Sequence, residues 1–179
     1  KRMGAAFNDE TKLWQICKDL DLNFQAVGED SQLFLGNENI SSAIRSPEID
    51  MLSSKISAIK EVRLAMTEHQ RKIGKKGRLV AEGRDMGTVV FPDADFKFFI
   101  TAHPKVRAER RYKERIGRGE SVSREKIERE LKKRDHQDTT RIIAPLRPAE
   151  DAEIIDTTTL NPAQVVEIIT MNTDFKKYK

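Results

Sequence analysis

Two short runs have the residue types and spacing to bind a phosphorylated ligand. The first is Glu82-Gly83-Arg84-Asp85-Met86-Gly87, directly after the apolar run Leu79-Val80-Ala81. An arginine grips phosphate through two parallel N–H groups, and flanking carboxylates hold a divalent cation or its waters. Glycine lets the backbone turn tightly or approach a ligand closely. The same residues also suit a plain turn with a local salt bridge. The second run is Arg134-Asp135-x-x-Asp138-x-x-Arg141. At about 100° per residue, Arg134, Asp138 and Arg141 share one narrow helical face. Two guanidinium groups around a carboxylate can bind a phosphate and a sugar hydroxyl together. The competing reading is an i,i+4 salt-bridge ladder on a solvated helix, worth roughly a few tenths of a kcal/mol per pair.

A third feature is the basic stretch Lys105 to Arg118, where only Glu109 and Glu114 offset the cations. It reads either as a lid closing over phosphates, bearing Arg110, Arg111, Lys113 and Arg115, or as a nucleic-acid face. Tyr112 is its only aromatic residue, so base stacking is poorly supported. The three histidines, His69, His103 and His136, and the single Cys17 have no zinc-ligand spacing.

The elements that must position these residues follow from periodicity and punctuation. Asp9 to Leu20 carries Leu13, Ile16, Cys17 and Leu20 at helical spacing. Leu22 to Val27 and Gln32 to Leu35 read as two strands around the turn residues Gly28 to Ser31, a small hairpin or insert. Ser46-Pro47-Glu48 opens a helix whose apolar stripe runs through Ile49, Leu52, Ile56, Ile59 and Met66 to about Ile73. Leu79 to Ala81 reads as a short strand, with Glu82, Arg84 and Asp85 past its carboxyl end, where open α/β sheets bind ligands. Asp95 to Thr101 is a strand, Pro104 to Ile116 a basic helix, and Ser123 to His136 a charged helix. Ala152 to Asp156 is a strand, and Pro162 to Ile169 a last helix capped by Asn161. This alternation predicts an α/β fold with a mostly parallel sheet.

Composition narrows the class without choosing a function. With 179 residues the chain can build one real core. A formal net charge of +4 is too mild to imply nucleic acid. No apolar run nears the ~20 residues that span a bilayer, and a single cysteine allows no internal disulfide, as in a reducing cytoplasm.

The residues VAEGRDMGTVVFPDADFKFFITA, then RAERRYKER, then RDHQDTTRIIAPLRPAEDAEIIDTT closely resemble the bacterial cytidylate kinase family. NISSAIRSPEI is similar to that family's substrate-side insert running into its next helix. The resemblance runs from about Leu13 to Ile169. It implies a three-layer, P-loop nucleoside-monophosphate-kinase-like α/β fold with a small β-containing insert and a helical lid. Residues 1–21 and 47–179 would form the core, 22–46 the insert, and about 105–125 the lid. The implied activity is transfer of the γ-phosphoryl of ATP to CMP or dCMP with Mg²⁺, by a cytoplasmic monomer that binds small nucleotides and neither nucleic acid nor membrane.

The resemblance also implies roles. Ser54 and Arg63 would contact the cytosine base and its phosphate. Arg84 and Asp85 would lie where donor meets acceptor, and Glu82 would help hold Mg²⁺ through water. Arg134, Asp138 and Arg141 would grip the acceptor, Asp138 reaching the sugar. Arg110, Arg111 and Lys113 would touch phosphates from the lid, with Arg84, Asp85, Arg110 and Arg134 nearest the chemistry. Ser54 and Arg63 stand about 180° apart on an unbroken helix, so both reach one ligand only if that helix breaks. Family members begin with a strand and a G-x-x-x-x-G-K-[ST] loop cradling the ATP phosphates. That motif does not occur in these residues; Gly74-Lys75 comes nearest. The segment is expected to precede Lys1, and without it ATP binding and catalysis are expected to be poor. A catalytically inactive nucleotide-binding module and a basic nucleic-acid-binding protein are the rival expectations.

Overall fold

The computed structural model describes residues 6, 9–27, 30–45, 47–75 and 77–173, and the side chains of 26, 27, 30, 31, 47, 48, 50, 51 and 54 are outside that description. The chain divides into two compact units, Lys1–Ala81 and Glu82–Lys179.

In the first unit, α1 (Glu10–Lys18) starts where the Asp9 carboxylate accepts from the Lys12 amide, satisfying one orphan donor of the first turn. The strands β1 (Leu22–Val27), β2 (Asp30–Leu35) and β3 (Glu38–Asn39) form an antiparallel sheet in the order β1-β2-β3. Leu22 faces Leu35 and Phe24 faces Leu33, the register that the alternation of apolar and polar residues requires. The turn residues Gly28 and Glu29 lie outside the described residues, as does Ser46, the expected cap of the next helix.

That helix is two helices. Helix α2 (Pro47–Ile56) ends, the Ala58 and Ile59 amides bond back only three residues, to Lys55 and Ile56, and α3 (Lys60–Gly74) begins. No proline causes the break. Ile59 adopts extended backbone as the α3 N-cap, and Arg63 Nε donates to the Ser57 carbonyl at 3.0 Å, satisfying a helix-end acceptor. The core of the unit is Leu13 and Cys17 of α1 against Val62 and Ala65 of α3, flanked by Trp14, Ile56, Ile59 and Met66. His69 Nε2 donates to the Cys17 carbonyl at 2.7 Å, tying α3 to the last turn of α1. Burial raises the Cys17 thiol above its ordinary range. Iodoacetamide at pH 8 is therefore expected to label the native protein far more slowly than the urea-unfolded chain, as read by mass spectrometry. Equal rates would show that this core opens readily.

In the second unit, β4 (Phe98–Thr101) and β5 (Glu153–Asp156) pair in parallel, Phe98 opposite Glu153 and Thr101 opposite Asp156. Between them run α4 (Pro104–Gly117) and α5 (Arg124–Thr140), and α6 (Pro162–Met171) follows β5. Ser123 caps α5 by accepting from Lys126 N, and the expected Asn161 cap makes a full capping box with Gln164. Helices α4 and α5 pack on each other with Ala108 and Ile127 buried.

Two expectations are corrected. The helix stripe to Ile73 is interrupted, as above. Leu79 to Ala81 is not a strand: it pairs with no other segment among the described residues, and Val80 is 95% exposed. An apolar tripeptide has no strand geometry without a ladder partner. The core pair β4-β5 is parallel, and the antiparallel β1-β2-β3 sheet lies within residues 22–46, the expected β-containing insert. The α/β class stands, and among the described residues no helix is long and apolar enough to cross a membrane.

Candidate functional site

Asp138 lies in the last turn of α5, where the helix dipole disfavours a carboxylate. It is nevertheless buried, with 7% of its surface exposed. A buried carboxylate needs opposite charge or hydrogen bonds, and three arginines converge on it. Arg84 Nε stands 3.3 Å and Arg134 Nε 3.8 Å from Oδ2, while Arg141 Nη1 stands 3.6 Å from Oδ1. Oδ2 is fully buried and accepts no hydrogen bond, held by charge alone. Three guanidiniums thus gather around one buried carboxylate. A gathering of guanidinium groups suits an anionic ligand.

The backbone around the cluster is unusual on both sides. Before it, Met86–Val90 forms a π-helical turn in which the Asp85 carbonyl accepts from Val90 N at 3.2 Å and from Val89 N at 2.9 Å. Such turns recur at functional sites. Asp85 itself is buried. Gly87 sits where a Cβ would come 3.3 Å from the Lys97 stem, so the turn packs closely on that side chain. Beyond the cluster, Arg141 ends α5 in extended backbone and the chain folds back, Leu146 N donating to the Asp138 carbonyl at 2.7 Å. Ala144 takes a left-handed φ of 51° in this return, a conformation that costs a non-glycine residue roughly 1–3 kcal/mol. Sequence reasoning missed Ala144; the following Pro145 marked a boundary, without revealing the sign of φ.

The other expected site residues divide. Glu82 is exposed and one residue from Gly83. Arg110 donates to Thr157 Oγ1 at 3.0 Å and to the Thr157 and Leu160 carbonyls, so it joins α4 to the end of β5. Arg111 pairs with Glu114 at 2.9 Å and Lys113 with Glu109 at 3.8 Å. Arg115 bridges Glu120 and Glu130, Arg124 reaches Glu109, and Arg107 forms a two-armed pair with Asp135. Carboxylates thus answer most of the basic run. A groove lined by Pro104, Lys105, Arg107, Glu128, Leu131, Lys132 and Asp135 contains none of the expected site residues. At the end of β5, Asp156 accepts from Thr158 Oγ1 and N, and these bonds, with His103 nearby, hold its carboxyl below the usual range.

Arg63 and the backbone of Ser54 belong to the first unit, and the Ser54 side chain lies outside the described residues. Gly74-Lys75 closes α3. A phosphate cradle needs the amides of a helix start, so this pair is not one. No group of three or more His, Cys, Asp or Glu side chains assembles for a metal among the described residues.

The cytidylate kinase family model matches residues 1–174. A cytidylate kinase of Geobacter sp. (strain M21) is 44% identical over 169 residues, 94% of this chain and 72% of the relative. That of Syntrophotalea carbinolica is 45% identical over 166 residues, 93% of this chain and 71% of the relative. That of Pasteurella multocida is 40% identical over 165 residues, 92% and 73%. With a matching family model across nearly its whole length and relatives at this identity, the chain belongs to the cytidylate kinase family.

Proposed function

We propose that the protein transfers the γ-phosphoryl group of ATP to CMP or dCMP, giving CDP or dCDP and ADP. The observation that carries this reading is the convergence of Arg84, Arg134 and Arg141 on buried Asp138. The three guanidiniums match a nucleoside monophosphate, whose phosphate accepts from guanidinium forks. Asp138 holds the arginines in place and offers a carboxylate to a sugar hydroxyl. Arg134 and Arg141 orient the acceptor phosphate, and Arg84 with Asp85 faces the junction of acceptor and donor. The bond between the γ-phosphorus and its bridging oxygen breaks as a bond to an acceptor phosphate oxygen forms. The protein's contribution is alignment and charge stabilisation rather than covalent chemistry.

Mg²⁺ enters with ATP as substrate. It keeps most of its waters and needs only one or two carboxylates beside nucleotide phosphates. Exposed Glu82 fits a contact through water. We assign α4 and the loop after it to a lid over the phosphates and residues 22–46 to the acceptor side, with Ser54 and Arg63 reaching base and phosphate. Arg111 and Lys113 are the lid's phosphate contacts in this reading, because ion pairs to exposed Glu114 and to Glu109 exchange readily. Arg110, held by three oxygens, is left as a structural tie.

Titration calorimetry of the full chain with CMP, and AMP as control, tests the site independently of ATP. Saturable CMP binding with little heat from AMP is expected, and a coupled ADP-release assay with Mg·ATP then reads transfer. Absence of CMP binding would overturn the proposal.

A further inference from the structure

Arg141 reaches Asp138 only because something holds its other edge. Its Nε–H donates to the Ala144 carbonyl, leaving Nη1 3.6 Å from Asp138 Oδ1. The guanidinium is thus clamped along two sides, and 15% of the side chain is exposed. The carbonyl lies there because Ala144 adopts φ 51°. That is a costly choice twice over: an alanine Cβ disfavours left-handed backbone, and the following Pro145 pushes its predecessor toward extended backbone. Ala144 is itself buried, and Leu146 N is bonded to the Asp138 carbonyl, so the return loop is fixed at both ends. A strained residue held in place by its surroundings, with its carbonyl aimed at a site side chain, is a mark of preorganisation.

We infer that Ala144 is a positioning residue: its left-handed backbone places the carbonyl that orients Arg141 for the acceptor phosphate. The inference rests on the nucleotide site proposed above. Because Ala144 acts through Arg141, its effect vanishes when Arg141 is absent. Additive losses are the behaviour of independent sites, and full coupling that of one device.

The experiment is a double-mutant cycle on the full chain, read as the CMP dissociation constant by calorimetry. Arg141→Ala and Ala144→Val, whose β-branched side chain resists positive φ, are each expected to weaken binding about tenfold, the scale of one charge-assisted hydrogen bond. The double variant is expected to match Arg141→Ala alone. Ala144→Gly, which holds the same backbone without strain, is the conservative rescue and is expected to bind like the parent. Additive losses, or a loss with glycine as large as with valine, would overturn the inference. An unchanged affinity in Arg141→Ala would instead overturn the nucleotide site itself. Arginine-selective NMR of the unmodified protein gives an answer even if Ala144→Val fails to fold. Slow solvent exchange of the Arg141 Nε–H is expected, and exchange as fast as for an open surface arginine would refute the clamp.

Discussion

Replacing Asp138 with Asn weakens CMP binding about 10- to 100-fold, the range for losing a hydrogen bond to a buried charged group. Two effects oppose each other in this variant. Removing the carboxylate takes a negative charge from among Arg84, Arg134 and Arg141, which by itself would strengthen their hold on a phosphate. The same change removes an acceptor for a sugar hydroxyl and lets the three guanidiniums repel one another out of position. Exposure decides which wins. Arg134 is 48% and Arg84 33% exposed at the side chain, so water and salt screen most of the added attraction. Asp138 is 11% exposed at the side chain, and its lost contacts are not replaced by solvent. Weaker binding should therefore come with a stability loss of roughly 1–2 kcal/mol, discounted from the 3–5 kcal/mol of a fully buried pair because two partners reach water. Calorimetry and thermal melts check both numbers. Tighter CMP binding by the Asn variant would mean that Asp138 only neutralises the arginines, and its assignment to the acceptor would fall.

How much of this site is legible without coordinates depends on the range of each contact. Arg134, Asp138 and Arg141 announce themselves by spacing, because a helix converts sequence separation into angle. Leu22 to Val27 and the Asn161 cap are likewise local, and both form as the residue pattern requires. Arg84 reaching Asp138 is a contact across 54 positions, and spacing carries no information about it. The break after Ile56 escapes the residue pattern for a similar reason. It is stabilised by Arg63 donating to a carbonyl, and every residue type has a carbonyl. Arg110 shows the same limit from the other side. Its type and its place in a basic run suggest a phosphate contact, while its actual partners are a threonine hydroxyl and two backbone oxygens. Leu79 to Ala81 has the composition of a strand, but composition does not supply a partner edge.

The largest stability effect is expected far from the charges, at Ile127. Taking Ile127 as reference, Leu131 falls about 40° around α5, Arg134 about 20° and Asp138 about 20°, so one helix face is apolar at its start and charged at its end. Ile127 is 1% exposed and is, with Asp138, one of two buried residues of α5. Around it, the α4–α5 ion pairs of Arg115 with Glu130 and Arg124 with Glu109 involve side chains of which Glu130 and Arg124 are more than half exposed. Pairs of that kind contribute about 0–1 kcal/mol each, whereas truncating a buried isoleucine to alanine costs about 2–5 kcal/mol. Packing therefore outweighs the more numerous salt bridges. Ile127→Ala is expected to lower the melting temperature by roughly 5–15 °C, and Glu130→Ala to leave it within about 2 °C. Because the same face carries Arg134 and Asp138 two and three turns later, Ile127→Ala should also weaken CMP binding, while Glu130→Ala should not. If differential scanning calorimetry ranks the two variants the other way, the helix pair is held by charge, and the site rests on a salt-sensitive support rather than on a packed core.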